Sequence, residues 1–209
     1  MLSFHYTPRT CALATRIVLE EVGAPYEAVR VDFAANAQRS PEFRSLNPKA
    51  RVPVLVTEEG VLTETPALLV YLAQRFPVAG LAPLDEPFAF ARLQAFNAYL
   101  CATVHVAHAH GPRGYRWADD PAAIAAMRAK VPDSVGAAFA VIEDGMLQGP
   151  FVMGETYTIA DPYLFTLAQW LESDGVDTSR LPRVVEHRER VRARPAVQRA
   201  LAGEAPSKT

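Results

Sequence analysis

The sequence predicts an α/β half followed by an all-α half, and three observations predict it. Apolar runs of strand and helix length alternate from Leu2 to Arg75. Pro77, Gly80, Pro83 and Pro87 then interrupt the chain. Everything beyond them is rich in alanine and patterned at helical period. With 209 residues, the chain can form one large domain or two small ones and can bury a substantial core.

Leu2–Tyr6 has strand character and closes on the turn signal Thr7-Pro8-Arg9. Thr10 or a neighbour caps a helix through Val22, where Ala12, Leu13, Ile17 and Val18 recur at helical spacing, and Gly23 is placed to end it. Tyr26–Val31 reads as a second strand with imperfect alternation. Residues 32–46 hold a loop and a short helix near Pro41-Glu42-Phe43-Arg44. Val52–Thr57 and Val61–Thr63 make a hairpin across Glu58-Glu59-Gly60, and a helix from about Thr65 to Arg75 turns Leu68, Leu69, Tyr71 and Leu72 inward. The order βαβ, then a helix, then ββα is thioredoxin-like. The expected boundaries are a first domain at 1–77 and a linker at 78–86.

The remainder, 87–209, is expected to be an all-helical domain. Phe88–His110 is long and apolar, and Pro121–Glu143 gives another helix despite Pro132. A further helix begins at Thr158-Ile159-Ala160-Asp161, a Thr-x-x-Asp variant of the capping box, with Pro162 in a first turn that tolerates its missing N–H. Leu181–Arg192 and Pro195–Leu201 complete the set.

Composition excludes several function classes. A net charge of −2 supplies no field for nucleic acid or an anionic membrane. No apolar run approaches the roughly 20 residues of a membrane span. Met1–Tyr6 lacks a basic leader segment, and two cysteines, Cys11 and Cys101, are too few for a disulfide framework, so a reduced, cytoplasmic setting is expected.

The densest local information lies in Asn47-Pro48-Lys49-Ala50-Arg51-Val52-Pro53-Val54-Leu55 and in Thr63-Glu64-Thr65-Pro66-Ala67. A proline at the mouth of an apolar strand removes a ladder donor. A cis Val52–Pro53 bond would account for it and would turn the Val52 backbone outward, free to pair with an extended peptide. The helix start that follows could meet the charged groups of that peptide. Cys11 falls at the beginning of the first helix, where unpaired N–H groups and the helix dipole favour thiolate over thiol.

With these motifs and its two-part plan, the chain resembles the cytosolic glutathione transferases and is most similar to their bacterial beta class. The resemblance implies glutathione as co-substrate, no metal, and a small hydrophobic electrophile as the other substrate of a detoxifying homodimer. It implies that Cys11 lies beside the glutathione sulfur and that His105 faces that sulfur from the helical domain. Val52 and Pro53 would pair with the peptide, while Glu64 and Thr65 would receive its γ-glutamyl end. The glycyl carboxylate needs a cation. The beta-class lysine is replaced here by the run Ala34-Ala35-Asn36, leaving Arg39, Lys49 or Arg51 to serve. The family asparagine that precedes the histidine is out of step: Asn97 falls one position from the match.

Other readings remain open. Without a Cys-x-x-Cys pair, Cys11 could still support glutathione-dependent disulfide or peroxide reduction, and a non-catalytic binding protein would keep the fold without the chemistry. His105, His108 and His110 cluster, but no acidic or thiol partner at metal-ligand spacing accompanies them. Tyr6 is expected to pack, and His5 and His187 to be structural or exposed. Tyr115, Trp117 and Phe165 are candidates for the wall of the electrophile pocket.

Overall fold

The computed structural model describes residues 1–204. Strands β1 (Leu2–Tyr6), β2 (Tyr26–Arg30), β3 (Val54–Thr57) and β4 (Gly60–Thr63) form one sheet in the order β2-β1-β3-β4. The β1–β2 pair is parallel and the other two are antiparallel, with Phe4 opposite both Ala28 and Leu55. The parallel pair requires a crossover, which α1 (Ala12–Val22) supplies. Gly23 ends that helix at φ 65°, a left-handed conformation that costs glycine nothing. A short helix α2 (Pro41–Leu46) is capped by Ser40, whose hydroxyl accepts from Phe43 N. Helix α3 (Thr65–Arg75) follows the hairpin, as the sequence predicts.

The second half is helical: α4 (Pro87–Tyr99), α5 (His105–Arg113), α6 (Pro121–Val141), α7 (Ala160–Ala168), α8 (Pro182–Arg192) and α9 (Pro195–Ala202). The single helix expected over Phe88–His110 is instead two α-helices joined by a π-helical turn at Leu100–Val104. A π turn holds an extra residue. Eight residues separate Asn97 from His105, about 80° apart around an unbroken α-helix at 3.6 residues per turn. Absorbing one residue brings the pair to within about 20°. A second π turn at Ile142–Met146 extends α6 past the expected Glu143.

Helix α1 joins the halves. Eight of its residues, from Ala12 to Leu19, are buried, and it packs on α3 from its own domain and on α7 and α9 from the other. Arg16 donates to the Gly203 carbonyl at 2.6 Å, the Tyr6 hydroxyl donates to the same oxygen at 3.2 Å, and Arg194 pairs with Glu21 at 2.6 Å. Tyr6 therefore packs, as expected.

Asp161 ties the start of α7 to its surroundings. Its carboxylate accepts from Val152 N at 2.7 Å, Thr158 N at 2.6 Å and the Thr158 hydroxyl at 3.1 Å, and it lies 3.0 Å from His187 Nε2. Asp161 and His187 are fully buried, which places His187 among the structural residues.

Candidate functional site

A cleft of about 190 Å³ lies between the two halves. One wall comes from three segments of the first domain: Arg9–Cys11 before α1, Asn47 with Ala50–Pro53 before β3, and Glu64–Pro66 at the start of α3. The helical wall carries Cys101, His105, His108, Arg113, Arg116, Trp117, Tyr163 and Trp170. Residues scattered over most of the sequence meet here because α1 binds the two domains together.

The first wall is built by local chemistry. The Val52–Pro53 bond is cis, as the sequence suggests. The buried Asn47 side chain holds the preceding turn: Nδ2 donates to Arg51 O at 2.7 Å and Oδ1 accepts from Lys49 N at 3.2 Å, while Ala50 takes φ 54°. Glu64 stands at φ 74°, ψ 118°, a conformation of a non-glycine residue that costs about 1–3 kcal/mol and clusters at ligand sites. It turns the chain so that Thr65, buried, opens α3 toward the cleft.

Two expectations for this wall need correction. Lys49 does not line the cleft. Its ammonium is held by Glu64 at 2.5 Å and by the Thr63 hydroxyl at 2.7 Å, outside the cleft lining. Arg51 does line the cleft, whereas Arg39 does not. Cys11, in turn, is not a low-pKa thiol. Burial pushes it up, the Thr65 hydroxyl and Arg113 offset only part of that, and its Sγ lies 3.8 Å from the Val52 carbonyl. The helix dipole favours thiolate, but withdrawal from water outweighs it.

The helical wall departs further from the sequence reading. His105 is present in the cleft, yet burial first, then His108, Arg113, Arg116 and Arg51, lower its pKa to about 4. At neutral pH it is an uncharged imidazole, in which one ring nitrogen donates a hydrogen bond and the other accepts one. Trp117 lines the cleft, Tyr115 does not, and Phe165, on α7, is fully buried in the core. Tyr163 is buried beside both thiols, and burial and those thiols raise its pKa. Asn97 is fully buried, with neither amide atom hydrogen-bonded.

Sequence reasoning missed Trp170, Arg113 and the pair His108–Asp174. His108 Nδ1 lies 2.8 Å from Asp174 Oδ2, and its ring stacks on Trp170 at 4.1 Å. No local pattern joins residues 108 and 174. Among the described residues, no group of three or more His, Cys, Asp or Glu side chains is arranged to hold a metal ion.

Comparison with known proteins agrees with this geometry. Residues 2–74 match the N-terminal domain of glutathione S-transferases and residues 121–190 match their C-terminal domain. A glutathione transferase homolog from Sulfitobacter, solved with bound glutathione, is 43% identical, with a TM-score of 0.94 over 97% of this chain and 98% of that one. A beta-class glutathione S-transferase from Sphingomonas chungbukensis is 30% identical, with a TM-score of 0.84 over 97% and 98% of the two chains. A maleylacetoacetate isomerase from Pseudomonas aeruginosa is 27% identical over 96% of this chain and 95% of its own. Relatives thus carry more than one named activity on one architecture. The chain belongs to the glutathione S-transferase family.

Proposed function

We propose that the cleft binds glutathione and that the enzyme joins the glutathione sulfur to a hydrophobic electrophile. The observation that carries this reading is the convergence of Cys11, the cis Val52–Pro53 segment and Glu64-Thr65 on one wall of a single cleft, opposite His105. The Val52 backbone pairs with the cysteinyl unit of the tripeptide. The γ-glutamyl carboxylate meets Thr65 and the N–H groups at the start of α3, and its ammonium meets Glu64. Glu64 and Lys49 are 53% and 42% exposed, so their bridge is a weak surface pair that an incoming ammonium can share. Arg51 receives the glycyl carboxylate. Trp117 and Trp170 offer aromatic faces to the electrophile.

Conjugation is favoured over reduction through Cys11 because the Cys11 thiol is pushed up by burial and is a poor nucleophile at neutral pH. The glutathione sulfur then attacks carbon: a C–S bond forms and the leaving group departs with its electron pair. Neutral His105 donates a hydrogen bond to the sulfur. The enzyme acts in the cytoplasm as a homodimer.

The test is conjugation of a model aryl halide by the wild type and by Cys11→Ala, beside an intact-mass spectrum after treatment with glutathione disulfide. Conjugation reduced less than about tenfold in Cys11→Ala is the expected result. Complete loss in a folded, glutathione-binding variant would assign the chemistry to Cys11 instead.

A further inference from the structure

His108 and Asp174 have no part in the glutathione contacts described above. His108 lies one turn beyond His105 on α5, with the two rings 6.5 Å apart. Both line the cleft, but their surroundings differ. His108 Nδ1 sits 2.8 and 2.9 Å from the two oxygens of Asp174, in the turn after α7. The imidazole is 14% exposed and the carboxylate 7%, and Trp170 stacks on the ring at an interplanar angle of 22°. A carboxylate that accepts the Nδ1 hydrogen fixes the tautomer in which Nε2 is the acceptor. The same carboxylate supplies the counter-charge once Nε2 takes a proton, as buried charge requires.

His105 has no such partner. It shares the cleft lining with His108, Arg51, Arg113 and Arg116, whose charges, after burial, disfavour a proton there. The remaining titratable groups of the cleft do not relieve this. Glu64 is bonded to Lys49, while burial pushes the thiols of Cys11 and Cys101 up and raises Tyr163.

We propose that His108, and not His105, is the proton acceptor of the cleft: its Nε2 takes the proton of the glutathione sulfhydryl while Asp174 holds the resulting imidazolium. The proposal rests on the glutathione reading and adds the base to it. The S–H bond breaks, the Nε2–H bond forms, and the electron pair stays on sulfur as thiolate. Asp174 remains a carboxylate throughout. After the C–S bond has formed and the halide has left with its electron pair, Nε2 gives its proton to water at the open mouth of the cleft. His105 stays neutral and orients the sulfur.

The experiment follows thiolate formation by ultraviolet difference absorbance of the protein–glutathione complex across pH, with calorimetry to establish binding in each variant. His108→Gln is expected to bind glutathione and to raise the apparent pKa of the bound thiol by about one unit, a tenfold loss of thiolate below it. Asp174→Asn keeps the ring and removes the counter-charge, so it should move the value in the same direction, and it decides the matter if His108→Gln does not fold. His105→Gln should move it less than either. An unshifted thiol in both His108→Gln and Asp174→Asn, with glutathione bound, overturns the proposal alone, as does a larger rise in His105→Gln. Absence of glutathione binding by the wild type overturns the glutathione reading and this proposal with it.

Discussion

Individual side chains in the cleft are governed by withdrawal from water as much as by their neighbours. Cys11 and His105 illustrate the two directions: burial raises the thiol, favouring its neutral form, and lowers the imidazole, again favouring the neutral form. For His105 this has a consequence for stability. The unfolded chain takes up a proton near its ordinary value of 6.5, whereas the folded chain refuses one until about pH 4. Acid therefore favours the unfolded state across that window, and stability rises with pH through it. Between pH 5 and pH 7 the contribution is about 1–2 kcal/mol. Urea unfolding of His105→Gln at these two pH values should show a smaller acid loss than the wild type. An identical loss would mean that folding does not lower the His105 pKa. Residue positions were legible where chemistry is local: Pro53, Glu64, Thr65 and Cys11 all sit at element boundaries that the sequence marks. Their electrostatic states were not, because desolvation depends on how the helical domain closes over them.

Elements are set by caps, turns and periodicity, and these carried most of the secondary structure. Leu2–Tyr6 and the Thr65–Arg75 helix have the expected bounds. β3 begins at Val54 rather than Val52, since the cis bond precedes the ladder. Periodicity does not announce a π turn, so Leu100–Val104 was hidden within an apolar run. The capping signal at Thr158–Asp161 proved larger than a local box, because His187 joins it from α8. Asp161→Ala would leave two backbone N–H groups, a hydroxyl and an imidazole without their acceptor in a dry interior. The expected cost is about 3 kcal/mol or more. Thermal and urea unfolding measure it, and a loss below about 1 kcal/mol would show that the segment repacks around the gap.

At the scale of the whole molecule, α1 is the shared core of both halves, and the cleft exists only where they meet. The long-range pairs that build its helical wall, His108 with Asp174 above all, lie 66 residues apart and have no sequence signature. That Lys49 turns toward Glu64 likewise has no sequence signature. The proposed homodimer has a concrete candidate surface: Phe88, at the start of α4, is 81% exposed, and Val61 on the edge strand β4 is 42% exposed. Phe88→Asp should halve the mass seen by light scattering at micromolar concentration, whereas an unchanged mass would place the interface elsewhere. The central claim, that this cleft holds glutathione across its first wall, is tested most directly by calorimetric titration of the wild type and Glu64→Ala with glutathione. Saturable binding at one site per chain, weakened about tenfold by the substitution through loss of a charge-assisted bond, is the predicted result. Wild-type binding that survives Glu64→Ala undiminished would contradict it.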